Sequence, residues 1–183
     1  MSMRKIVKKG TVPFSTFSKK MNKEMSMRKI INPWIGTEGY NCFVCSPNNP
    51  IGLHLEFWED GDYIVTKFKP THDYESWQNT LHGGIQALLI DETAGWVVCR
   101  KLQTNGVTSK MDMQYLKPVS TLLNEITVRA KISKMMRNVA FIEAELLDED
   151  GTVLTRADLV YFCTPKFKLD ENNFHTCKVE GEE

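Results

Sequence analysis

The sequence predicts an α+β fold in which a curved antiparallel sheet of about six strands wraps around one long central helix. Three observations carry that prediction. Six turn-bounded stretches are rich in strand formers, while the segment from Gly83 to Lys101 is rich in helix formers and apolar on nearly every side, as a buried helix is. Most of the strands follow one another through short turns, which favours antiparallel pairing. A sheet with one apolar face and an apolar helix each supply the covering layer that the other needs.

Taken in order, residues 1–33 lack sustained apolar periodicity and read as an extension outside the fold. They contain a repeat, MSMRKI at 1–6 and again at 25–30, which fits a short duplication, an alternative start at Met25 or a cloning artefact. Ser46, Pro47, Asn48, Asn49, Pro50 and Gly52 mark a loop, after which Leu53, Leu55 and Phe57 alternate with His54, Glu56 and Trp58 as in a strand. Glu59 to Asp62 is a hairpin turn, and Tyr63 to Phe68 is the returning strand. A loop from Pro70 to Asn79 leads to the helix. Beyond Asn105-Gly106 come four more strands: Val107 to Leu116, Ile126 to Ile132, Val139 to Leu147 and Thr152 to Phe162. The folded unit is expected over 34–166, with 167–183 a polar, acidic tail.

Composition limits the function. The 183 residues allow one domain with extensions, and 42% apolar content is enough for a core. Lys+Arg and Asp+Glu both number 23, but nine basic residues against one acid in the first thirty leave the remainder net negative by eight. A basic arm thus precedes an acidic body. No apolar run approaches the roughly 18 residues of a membrane span, and no signal sequence is evident, so a cytoplasmic protein is expected. Five cysteines, an odd number, favour reduced thiols. Cys42-x-x-Cys45 has no second pair to complete a metal site, and no metal is expected.

The chemistry concentrates around the helix. His82-Gly83-Gly84 precedes it, where glycines admit close backbone approach and first-turn N–H groups lack intrahelical partners, an arrangement suited to an oxyanion. Asp91 and Glu92 lie in mid-helix. Each shares a face with apolar residues, where a carboxylate must be paired or titrated, and periodicity leaves both open as the working acid. Lys134 and Arg137, in and beside the hairpin MMRN, are cations within reach of a phosphate, although hairpin charges are commonly just solvated.

Three motifs in this sequence resemble those of hotdog-fold acyl-CoA thioesterases of the phenylacetate-degradation (PaaI-like) type. They are HGGIQALLIDETAGWVV from His82 to Val98, VTSKMDMQYLKPV from Val107 to Val119, and NCFVCSPNNPIGLHLEF from Asn41 to Phe57. The match runs over roughly 41–164 in the same order. It implies hydrolysis of an acyl-CoA thioester, with CoA as part of substrate and product and no retained cofactor.

By the same resemblance, the Gly83 N–H polarises the thioester carbonyl and His82 orients the site. Asp91 fills the acid position as base or nucleophile, which decides between it and Glu92, and Thr108 helps to place water. Gly84, Asn79, Glu92 and Arg137 are the candidate substrate contacts, although Ser76 to Asn79 departs from some relatives. A homodimer or dimer of dimers is implied, in which the acid faces the partner's glycine corner. Neither nucleic acid nor membrane is an expected partner. The alternatives are a non-catalytic acyl-CoA sensor, to which the basic arm points, and a hotdog dehydratase.

Overall fold

The computed structural model describes residues 27–169 and 174–183. Among these residues, ten strands and one α-helix make up the regular structure, with 3-10 turns at His72–Tyr74 and Lys166–Lys168. The strands are β1 (Arg28–Ile31), β2 (Trp58–Asp60), β3 (Tyr63–Phe68), β4 (Glu75–Trp77), β5 (Thr80–Leu81), β6 (Gly106–Tyr115), β7 (Ile126–Met136), β8 (Val139–Leu147), β9 (Val153–Cys163) and β10 (Lys178–Val179). The helix α1 spans Gly83–Leu102. Eight strands form one antiparallel sheet in the order β10-β1-β2-β3-β7-β8-β9-β6, and β4 pairs with β5 separately. No helix among the described residues is long and apolar enough to cross a membrane.

The core lies between α1 and the sheet. Leu89, Ile90, Ala94 and Val97 from the helix are fully enclosed, as are Ile64, Val128, Ala130 and Leu146 from the strands. Along β9 the alternation is nearly strict: Ala157, Leu159, Tyr161 and Cys163 point inward between exposed Arg156, Asp158 and Phe162. The helix starts with His82 as its cap and ends at Gln103, whose left-handed backbone (φ 50) stops it. Gln103 Nε2 then donates to the Arg100 carbonyl at 2.8 Å.

The sheet corrects two sequence expectations. It has eight strands rather than about six, and the two additional ones come from segments expected to lie outside the fold. Residues 28–31 form β1, and 178–179 form β10 against it, with Ile30 facing Val179. Ile30, Cys177 and Val179 are buried, so the folded unit exceeds 34–166 at both ends. The physical reason is a charge cluster at the helix C-terminus. Arg100 bonds Glu59 at 3.0 Å and Glu182 at 2.5 Å, Arg28 reaches Glu59 at 2.5 Å, and Lys101 also bonds Glu59. Arg100 Nη1 further donates to the Cys177 carbonyl at 2.9 Å. Arg28 and Lys29, the two arm cations among the described residues, are therefore both paired, since Lys29 also meets Glu56 at 2.5 Å. The rest of the arm and the first MSMRKI lie outside the described residues.

The strand expected over 53–58 is displaced as well: β2 covers Trp58–Asp60, so of the expected run only Trp58 lies in a strand, and Glu59 and Asp60 of the expected turn pair with Ile64 and Tyr63. Leu55 and Phe57 do point inward, but His54 takes a left-handed backbone (φ 51) that breaks the extended run. Its neighbours bond the preceding loop instead, Leu53 N–H to Phe43 O at 2.9 Å and Leu55 N–H to Val44 O at 2.8 Å. This folds the Cys42–Cys45 loop toward the middle of α1.

Candidate active site

Asp91 and Glu92 both line a cavity of about 290 Å³, together with Trp34, Tyr40, Cys42, Cys45, Trp96, Thr108 and Tyr161. Thr108 and Tyr161 are cross-strand partners on β6 and β9. A bulge at Ser109 shifts the register immediately after Thr108, and bulges of this kind re-aim side chains beside functional sites. The Thr108 hydroxyl donates to Asp91 Oδ1 at 2.7 Å. Tyr161 O–H lies 2.9 Å from the same oxygen and 2.7 Å from the Asp91 carbonyl. Burial, with the Asp91 charge beside it, pushes the Tyr161 phenol up, so it serves as a donor rather than a charge. Asp91 itself is half-buried at the cavity wall.

Glu92, one helical step round, faces a different environment. Its Oε1 accepts from Trp96 Nε1 at 3.1 Å and lies 3.0 Å from Cys45 Sγ and 3.7 Å from Cys42 Sγ. Burial pushes its carboxyl up to about 7, against the lowering bond from Cys45, and the nearby Cys42 adds to the rise. The desolvation expected of a mid-helix acid thus acts on Glu92. Cys42 shifts the other way, down to about 5. The bond from Cys45 does most of this against the opposing effect of burial, helped by the N–H groups of Cys45 and Val44.

The glycine corner lies apart from this cavity. His82 Nδ1 accepts from the Gly84 N–H at 2.8 Å, which commits that amide to the helix cap and places any proton of a neutral His82 ring on Nε2. Tyr115 O–H donates to the Gly83 carbonyl at 3.2 Å. Eight residues of helix rise by about 12 Å, so Gly83 and Asp91 of one chain do not meet. Asn79 sits at the exposed turn before β5, with a left-handed backbone (φ 58), and its N–H bonds Glu75 Oε1 at 3.0 Å. Arg137 occupies the β7–β8 turn (φ 54), and it too lies outside the cavity.

Thus the structure brings Asp91, Thr108 and Glu92 to one cavity and leaves His82, Gly83, Gly84, Asn79 and Arg137 elsewhere on the chain. Sequence reading missed Tyr161 and Tyr40. Tyr161 was detectable in principle, because an inward-facing tyrosine on an alternating strand needs a partner for its hydroxyl. Trp96 lines the cavity and stacks on Phe57 at 5.0 Å, whereas Trp77 is 80% exposed. A larger hollow of about 410 Å³ lies on the outer face of the sheet. Its charges pair among themselves, as in Arg129–Glu145 at 2.6 Å, and it holds no part of the site.

Residues 78–155 match the sequence model of the thioesterase superfamily. Acyl-coenzyme A thioesterase 13 of Mus musculus is 26% identical over 87 residues, 47% of this chain and 61% of that protein. The chain thus spans about three-fifths of the length of the curated relatives it matches. Among solved structures, a hypothetical thioesterase from Streptococcus pneumoniae with coenzyme A superposes with a TM-score of 0.52 at 23% identity, over 56% of this chain and 82% of that one. Zebra fish thioesterase superfamily member 2 gives 0.56 at 20% identity, over 64% and 88%. The fold is the hotdog fold, and the resemblance to thioesterases stands at the level of the superfamily.

Proposed function

We propose that the chain hydrolyses acyl-CoA thioesters to a carboxylic acid and CoA, with Asp91 as general base. The observation that carries this is the fixing of Asp91 Oδ1 by two hydroxyls, Thr108 at 2.7 Å and Tyr161 at 2.9 Å, at the wall of a cavity on the central helix. Water gives a proton to Asp91 as its oxygen attacks the thioester carbonyl. The tetrahedral oxyanion is held by the Gly83 N–H and the positive end of α1. Collapse breaks the C–S bond, and the CoA sulfur leaves with the proton.

Because about 12 Å of helix separates Gly83 from Asp91, the oxyanion donor comes from a second copy of the chain. The sheet ends on β6, a ten-residue strand with one edge unpaired among the described residues, which offers a pairing surface for a homodimer. Dimers of dimers, the phenylacetate-degradation subtype and a cytoplasmic location belong to the same reading. So does binding of an acyl-CoA, for which the coenzyme A in the S. pneumoniae protein is a precedent.

The test is thiol release from short-chain, medium-chain and aryl CoA esters, with Asp91→Asn as the decisive variant. Loss of general-base assistance lowers kcat by about 100-fold or more. Full turnover by a folded Asp91→Asn protein would refute the mechanism, and absence of hydrolysis with every ester would refute the activity.

A further inference from the structure

The Cys42-x-x-Cys45 pair, read from the sequence as lacking further ligands, has a third donor 50 residues away. Cys42 Sγ, Cys45 Sγ and a Glu92 oxygen all lie within 4.8 Å of one another at the cavity wall. The groups around them are donors aimed at these three atoms. Val44 and Cys45 each direct a backbone N–H at Cys42 Sγ at 3.3 Å. Tyr40, whose phenol oxygen is engaged by Asn32 Nδ2 at 2.8 Å, is 2.9 Å from Cys45 Sγ, and the Trp96 indole N–H reaches Glu92 Oε1 at 3.1 Å. Three metal-type donor atoms thus converge in a largely buried place with N–H groups aimed at them, and the proton that Cys45 shares with Cys42 Sγ and Glu92 Oε1 lies where a cation would sit.

We propose that Cys42, Cys45 and Glu92 bind one thiophilic divalent cation of the zinc class, with the fourth position facing the cavity. Two sulfurs and one carboxylate are a soft, borderline set that selects zinc-type ions over magnesium or calcium. The geometry needs little change. Tetrahedral coordination at Zn–S distances of about 2.3 Å places two sulfurs about 3.8 Å apart, against 3.1 Å between Cys42 and Cys45 here. A sulfur and a ligand oxygen come about 3.5 Å apart, beside the observed 3.7 Å and 3.0 Å. The thiols and carboxyl lose their protons to solvent on binding. With both cysteines on the loop and Glu92 at mid-helix, the ion clamps the 40–46 segment onto α1.

The test uses the full chain, purified and fully reduced, and it needs no turnover, so its outcome is separate from that of the hydrolase reading. Cobalt(II) is the probe. One equivalent is expected to give a thiolate-to-cobalt charge-transfer band with intense visible bands of tetrahedral type, displaced by one equivalent of zinc. Zinc should raise the thermal midpoint by several degrees, as expected for a ligand bound only by the folded state. Cys42→Ser and Cys45→Ser should each diminish the charge-transfer band. Glu92→Gln should retain thiolate ligation but weaken zinc by at least about tenfold, the lower end of effects seen even for outer ligands. Absence of the cobalt band in reduced protein would overturn the proposal, as would equal zinc affinity in Glu92→Gln. Isolation of Cys42 and Cys45 as a disulfide, with no metal bound after reduction, would overturn it as well.

Discussion

Replacing Tyr161 by Phe isolates the hydroxyl that joins the sheet to the proposed base. The ring is 3% exposed and stays packed, while the O–H at 2.9 Å from Asp91 Oδ1 and 2.7 Å from the Asp91 carbonyl is lost. The carbonyl keeps its place in the helix ladder, so the stability cost is that of one ordinary hydrogen bond, about 1 kcal/mol, or a fall of about 2–4 °C in Tm. The carboxylate bond is the stronger one, since hydrogen bonds to ionised groups are worth about 1.5–3 kcal/mol. If that energy holds the base in its reactive orientation, kcat for thiol release falls by about 10- to 100-fold while KM changes little. Thr108→Ala removes the second donor from the same oxygen, so the two substitutions should be non-additive in kcat. The assay is steady-state thiol release beside a thermal melt of each variant. A Tm loss of the expected size with kcat within about twofold of the parent would show that Tyr161 only ties helix to sheet, and the reasoning would fail.

Two other predictions follow from contacts away from the reacting atoms. Burial opposes ionisation of Glu59, but its bonds to Arg100 and Lys101 outweigh that effect and hold it down at about 2, below the ordinary 4.5. A lowered folded-state value means that its stabilisation is complete above about pH 4.5 and is lost as pH falls toward 2. The loss is roughly 1–3 kcal/mol once solvent screening of the cations is allowed for. Glu59→Gln should therefore flatten the acid decline of urea midpoints, and an unchanged decline would contradict the charge cluster. Gly95, one turn beyond Asp91, places an added Cβ 3.7 Å from the Tyr161 hydroxyl, an ordinary contact. Gly95→Ala should stabilise α1 by about 0.8–1 kcal/mol, seen as a higher Tm by calorimetry; a lower Tm would mean that the cavity wall cannot take a methyl group.

The helix and the long strands were legible because their signals are local. Apolar residues all round 83–101, alternation in 63–68 and 139–147, and the Asp148 to Gly151 turn each specify an element without knowledge of its partners. The sheet edge was not legible. β1 has four residues and β10 two, and what holds them is the contact of Arg28, Arg100 and Lys101 with Glu59 and Glu182, groups up to 154 positions apart. Charged residues near a chain end read locally as solvated tails, and only the tertiary structure shows that they converge. The same limit hid Tyr161 and the third donor beside Cys42 and Cys45. HGG and the acid nine residues after its His are visible as a motif, but the 12 Å or so of helix between Gly83 and Asp91 becomes a physical obstacle only when the helix is built.

Two adjacent acids on one helix end in opposite circumstances because about 100° of rotation separates them. Asp91 turns toward the β6–β9 pair and meets two hydroxyls, which can hold a carboxylate while leaving it able to take a proton. Glu92 turns toward the Cys42–Cys45 loop, where burial lifts it to about 7 and sulfur lies on two sides. Two such different sets of neighbours give the adjacent carboxyls different roles. Asp91 has the geometry of the group that acts on water, and Glu92 that of the group that fixes the wall beside it. Exchanging the pair, Asp91→Glu with Glu92→Asp, keeps the formal charge and the helix. It withdraws the longer arm from the thiols and pushes the base past its hydroxyls. If the two roles are distinct, the exchanged protein loses thiol release and, like Glu92→Gln, binds zinc at least about tenfold more weakly; unchanged turnover or unchanged zinc affinity would show that the corresponding role does not depend on which acid stands at which position.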